Sequence, residues 1–179
     1  MTQIEKTKTI ITSDMLSKYK DSFKKQIKGP FASYVKENET APLDKKNINI
    51  FTAAVAQGYD DAKRTFTGIG DIWESFSTED NTPTNELPNQ NRDAFFEIIA
   101  RKIQSLFTNP WENFDEWHYE TCNLFINTLK KKNYEATYGQ AQKVINMAFK
   151  YLYCLYGADS KEYCTVFDKC HMPLDSFTL

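Results

Sequence analysis

The stretch TYGQAQKVINMAFKYLYCLYG occupies residues 137–157. At about 100° per residue, Ala141, Val144, Ile145, Ala148, Phe149, Leu152, Leu155 and Tyr156 fall in one broad arc. That arc is wide enough to face a core, so the stretch predicts an amphipathic helix. Lys143 and Lys150 stand seven residues apart and share the opposite face. Gly139 begins the helix where Ser, Thr or Asp would be the usual cap.

The same helical period extends upstream. In NFDEWHYETCNLFINTLKKKN, Trp117, Cys122 or Thr121, Leu124, Phe125 and Leu129 point inward. Asn113 or Asp115 can cap its start, and Lys130, Lys131 and Lys132 suit its negative dipole end. RDAFFEIIARKIQSLF predicts another helix, with Phe95, Ile98, Ile99, Ile103 and Leu106 on one face and Asn109-Pro110 as its stop. NINIFTAAVAQGYDDAKRTF predicts a further one, carrying Ile50, Ala53, Ala54, Gln57 and Tyr59. Thr12 or Ser13 can cap a first helix running to about Lys36, with Gly29-Pro30 as a bend. Residues 77–91 (STEDNTPTNELPNQN) are polar and rich in turn formers, and read as a long loop. ADSKEYCTVFDKC predicts a shorter helix. Only TKTIIT hints at a strand.

These elements define an all-α fold: one helical domain spanning residues 1–179, with six to eight helices. The chain of 179 residues suits a single domain, and 41% hydrophobic residues supply its core. Six glycines and six prolines are too few for a β-sandwich or barrel.

Net charge is −2, unevenly spread. Residues 1–36 carry eight basic and three acidic side chains, whereas residues 37–100 carry five basic and twelve acidic ones. The acidic total lowers the case for nucleic-acid binding, and the basic N-terminal segment, with Lys20, Lys24 and Lys28 in a stripe, keeps it open. No run approaches a membrane span or a signal-peptide core, which predicts a cytoplasmic protein with reduced thiols and no membrane contact.

The four cysteines do not suggest a metal site. Cys154, Cys164, Cys170 and His171 follow a C-x9-C-x5-C-H pattern, whereas structural zinc favours pairs two to four residues apart. Buried structural thiols fit better. His118 and Cys122 lie one helical turn apart, but no third orienting group accompanies them, and Cys122 fits the helix core. Asp60-Asp61 and Glu79-Asp80 are adjacent pairs that cannot face each other on a helix and read as surface charge. TGIG at 67–70 is too short for a dinucleotide loop.

Two C-terminal segments carry a resemblance. A helix, a short turn containing Gly139 and a second helix opened by Lys143 are followed 32 residues later by HMPLD, with Pro173 and Asp175. This order resembles the helix-hairpin-helix DNA glycosylase superfamily, in particular its archaeal 8-oxoguanine glycosylase branch. It covers about the last 45 residues, with ATYGQAQK standing where the superfamily has its LPGVG hairpin. The segments GQAQK, KYLYCL and HxPxD also resemble a group of uncharacterised bacterial proteins.

The glycosylase resemblance implies a DNA-binding protein that excises a damaged or modified base without a cofactor. Lys143 would attack C1′ of a flipped-out nucleoside to form a Schiff base, and Asp175 would be its acid/base partner. Gly139, Gln140, Gln142, Lys131, Lys132 and Lys150 would contact the nucleic acid. Tyr151, Tyr153, Trp117 and Phe114 are candidates to stack on the base, though core packing is the better explanation for most such aromatics. The alternative is a non-catalytic all-α module of bacterial or phage origin that binds nucleic acid or a protein partner.

Overall fold

The computed structural model describes residues 18, 47–69, 87–109, 113–153 and 165–171. Four α-helices and one 3-10 turn account for most of them, and no strand occurs among the described residues. The helices are α1 (Ile48–Ala62), α2 (Leu87–Thr108), α3 (Phe114–Lys130) and α4 (Tyr138–Leu152), and the 3-10 turn Lys63–Thr65 follows α1 directly. All of the first predicted helix except Lys18, the strand candidate TKTIIT and residues 172–175 of the HMPLD segment lie outside the described residues.

α1 is the central helix. It packs along both α4 and α2, while α3 lies against α4 and, to a lesser extent, α2. Its buried residues run all round the helix, from Ile50 and Phe51 through Ala53 to Ala56 to Tyr59 and Ala62. A helix buried on every side needs small residues on some of its faces. The alanines supply them, and Gly58 supplies the tightest contact. A Cβ at Gly58 would sit 2.6 Å from the carbonyl oxygen of Val144 and 3.1 Å from the amide nitrogen of Ala148. The backbones of α1 and α4 therefore approach as closely as a missing side chain allows.

Aromatic rings fill the remaining core. Phe95 meets Phe125 edge-on at 5.0 Å, Tyr59 lies 5.1 Å from Phe96, and Trp117 meets Phe149 edge-on at 5.7 Å. Such tilted and edge-to-face pairs suit the quadrupoles of the rings.

The helix ends follow from local chemistry. Asn47 caps α1 by accepting from Asn49 N–H, and Asn113 caps α3 by accepting from Glu116 N–H. α2 begins at Leu87, five residues before the RDAFF segment and inside the stretch read as loop. Pro88 explains the early start: in a first turn its missing N–H costs nothing. Ile98, expected inside, is 44% exposed.

Candidate functional site

Thr137, not Gly139, caps α4. Its hydroxyl accepts from Gln140 N–H at 3.3 Å, and Gln140 Oε1 accepts from Thr137 N–H at 2.8 Å, which completes a capping box. Gln140 Nε2 then donates to the carbonyl of Thr65, and the Tyr134 hydroxyl donates to the carbonyl of Thr67 at 3.2 Å. Gln140 is thus occupied at both ends of its side chain. These two bonds join the turn after α1 to the turn before α4. Asn133 makes the second turn possible by adopting a left-handed conformation, with φ of 61°.

The junction gathers basic residues at one end of the bundle. Lys63 and Arg64 precede Thr65, Lys130, Lys131 and Lys132 precede Tyr134, and all five are exposed. Lys143 stands half-buried on the second turn of α4. The acidic residues of the same segments are Asp60, Asp61 and Glu135, and Asp61 accepts a hydrogen bond from the Tyr151 hydroxyl. The backbone N–H groups of Tyr138 and Gly139 have no partner among the described residues, and nothing lies within 4 Å of where a Gly139 Cβ would be. Two turns rich in exposed basic residues thus adjoin a helix N-terminus whose first two amides have no partner among the described residues, a combination suited to phosphate.

Packing leaves α4 one narrow solvent stripe. Val144, Met147 and Ala148 lie against Gly58, and Tyr151 reaches Asp61 on the same flank. On the other flank Asn146 meets His118, and Phe149 meets Trp117 and Phe114. Between them Gly139, Lys143 and Lys150 occupy a window of about 40°, taking 100° per residue. Lys143 has no hydrogen bond or ion pair among the described residues. Gln142 is half-buried beside the stripe. Asp175 and Pro173 lie outside the described residues. Of the aromatic candidates, Trp117, Phe114 and Tyr151 are buried in the core, whereas Tyr153 is half-buried.

A buried polar chain runs between α3 and α4. His118 Nε2 lies 2.9 Å from Asn146 Oδ1, which can only accept, so Nε2 carries the proton. His118 Nδ1 is then an acceptor for the Cys122 thiol at 3.8 Å. The His171 ring lies against His118 at 4.4 Å, tilted by 54°, and His171 Nε2–H donates to Asp115 Oδ1 at 2.7 Å. Burial, with His171 nearby, holds His118 below its ordinary pKa against the opposing bond to Asn146 and the charge of Asp115. Burial pushes the Cys122 thiol up to about 11 and the Cys170 thiol up to about 12. Cys122 is 0% exposed. A Cys–His–Asn order resembles a nucleophile with its base, but this thiol is protonated at neutral pH and out of reach of a substrate.

Beside this chain a cleft of about 310 Å³ opens between the second half of α4 and residues 165–171. Phe149, Tyr153 and Phe167 line it with Asn146, Lys150 and His171. No group of three or more metal-ligating side chains occurs among the described residues. No helix among them is long and apolar enough to cross a membrane.

The His118–Asn146 pair escapes sequence reasoning because its members are 28 residues apart and Asn146 borders the solvent stripe of α4. The available signal is His118, a polar residue on a helix face otherwise given to the core. No protein-family model, curated protein sequence or solved structure matches the chain.

Proposed function

We propose that this protein binds nucleic acid through the basic end of its helical bundle, as a helix-hairpin-helix protein of the DNA glycosylase type. α3, the turn at 131–137 and α4 form the hairpin within a cytoplasmic all-α domain of six to eight helices. One observation carries the proposal: the bonds from Gln140 to Thr65 and from Tyr134 to Thr67 bring two basic turns beside the open N-terminus of α4. Six basic side chains stand there against three acidic ones, on a chain whose net charge is −2. Backbone amides at Tyr138 and Gly139 would hold one phosphate, and Lys131, Lys132 and Arg64 its neighbours.

Lys143 follows from the same placement. It lies one turn beyond Gly139 on the solvent stripe, half-buried and without a partner among the described residues. A lysine so placed beneath an anchored phosphate can reach C1′ of an extrahelical nucleoside. Asp175 would assist proton transfer.

Fluorescence anisotropy with labelled single- and double-stranded DNA tests the interface. Affinity should fall linearly on a log–log plot against salt, with a slope of about 0.9 per duplex phosphate contacted. Lys131→Ala and Arg64→Ala should each weaken binding to all sequences and reduce the slope by about 1. No binding to either form at low salt refutes the interface. Borohydride trapping on DNA with a damaged base or an abasic site tests Lys143, and an adduct undiminished in Lys143→Gln removes it as the nucleophile.

A further inference from the structure

We propose that the cleft beside α4 is a second site, which binds a planar heteroaromatic ring through a lactam edge, the chemistry of a uracil- or guanine-type base. It is separate from the basic end, since it lies along residues 146–153 rather than at the α4 N-terminus, and it does not rest on the nucleic-acid interface.

Asn146 is the first ground. It is 3% exposed and lines the cleft. Its Oδ1 is taken by His118 Nε2–H at 2.9 Å, which fixes the orientation of the amide. Its Nδ2 has two N–H donors and no partner among the described residues. Its unpaired N–H groups are therefore a donor that a ligand in the cleft can meet.

His171 is the second ground. Its Nε2–H is committed to Asp115 at 2.7 Å, so in the neutral form of the ring Nδ1 is the acceptor. The ring is held in place by a tilted contact with His118 at 4.4 Å and by an edge contact with Phe114 at 5.3 Å. The cleft therefore has a donor from Asn146 and an acceptor from His171. A lactam carries the complement, a carbonyl beside an N–H.

The walls select a flat ligand. Phe149, Tyr153 and Phe167 present aromatic surface, with Tyr153 and Phe167 perpendicular to within about 25° and 5.4 Å apart. A cleft of 310 Å³ is at the small end for ligand sites, which run from about 300 to 1,000 Å³. It suits a single base or nucleoside and is too small for a dinucleotide cofactor.

The same edge is offered by a free nucleoside and by a base in a strand, so both are probed. Calorimetric titration of the full chain is carried out with uridine and guanosine, with their ring-N-methylated forms 3-methyluridine and 1-methylguanosine, and with a short single-stranded oligonucleotide. At least one unmethylated nucleoside should bind, and its methylated form should bind about tenfold more weakly, since methylation removes the donor and leaves a buried acceptor unpaired. His171→Phe keeps the ring and loses the acceptor, and should cost about the same factor. Asn146→Ser should do likewise, while Phe167→Leu tests the wall without touching the polar chain.

Binding by the oligonucleotide alone, lost in His171→Phe, assigns the site to a base within a strand. Equal binding of methylated and unmethylated nucleosides, no effect of any variant, or no binding by any probe at millimolar concentration overturns the proposal. Salt-dependent DNA binding in the His171→Phe protein keeps the two sites distinct. Nucleoside binding without any DNA binding would remove the interface at the basic end and leave the cleft intact.

Discussion

Gly58→Ala and Gly139→Ala form a matched pair that tests how α1 and α4 pack. Both replace a glycine in a helix, and both gain intrinsic helix propensity, worth about 1 kcal/mol in a helix interior and less at a first turn. They differ in what the new methyl meets. At Gly139 nothing lies within 4 Å, so the variant should be stabilised by about 0.5 kcal/mol. At Gly58 the methyl would sit 2.6 Å from the carbonyl oxygen of Val144 and 3.1 Å from the amide nitrogen of Ala148. Neither is a flexible side chain that can rotate aside, so α4 must move as a body. Overpacking of a well-filled core costs about 1–3 kcal/mol, and a backbone collision belongs in the upper part of that range. After the propensity gain is subtracted, Gly58→Ala should be destabilised by about 1–2 kcal/mol. For a chain of this size each kcal/mol moves Tm by about 2–4 °C, so the melting point should fall by about 2–8 °C. Calorimetry on both variants under one buffer measures this. A Gly58→Ala protein as stable as the parent would mean that α1 and α4 are not in backbone contact.

Four further outcomes follow from the polar chain and the α4 cap. His118 has a folded pKa below its unfolded value of about 6.5, so the unfolded chain binds more protons as pH falls. Its contribution to stability should be full above pH 6.5 and decline as pH drops through the folded pKa. Urea denaturation from pH 7.5 to 5 should show that decline, and His118→Gln should flatten it. With its thiol raised to about 11, Cys122 should resist thiol reagents at pH 8 until the protein unfolds. Above pH 9 the unfolded thiol ionises first, so the Cys122 contribution to stability should decrease between pH 9 and 11. Thr137→Ala removes the hydroxyl half of the capping box and should cost about 1 kcal/mol, measured by chemical denaturation.

Much of the helical fold is legible in the sequence. The arc through Ala141, Val144, Ile145, Ala148 and Phe149 is buried, and Lys143 and Lys150 lie on the other side. Asn113 caps α3 as its position suggests. Local period and capping chemistry carry that information because both act within a few residues. The start of α2 is harder to read, because Leu87, Pro88 and Asn89 look like a loop until the tolerance of a first turn for proline is considered. Ile98 fits the apolar period yet points to solvent, a choice made by the neighbours of α2 and not by its own sequence.

The candidate sites divide along the same line. The basic residues are visible in the chain, but their gathering at one end depends on Gln140 reaching Thr65 across 75 positions. Gln140, expected as a contact to nucleic acid, is also the residue whose bond to Thr65 joins the two turns. The cleft depends on Asn146 meeting His118 and on His171 returning to Asp115, pairings between distant segments with no local signature.

The attachment of residues 165–171 bears on how the molecule opens. Their polar tie to α3 is the hydrogen bond from His171 to Asp115, and Asp115 is 84% exposed, so water competes for it and it contributes at most about 1 kcal/mol. α1 and α4 are joined through buried backbone and should separate only when the whole domain unfolds. Opening free energies should therefore rise steeply across a few ångströms, from the 165–171 segment to the α1–α4 seam. In hydrogen exchange, amides around Val166 should exchange through local fluctuations, while those of Ala54 and Ile145 should wait for global unfolding. The cleft can then admit and release a ligand on its own timescale, without loosening the end of the bundle where the basic residues stand.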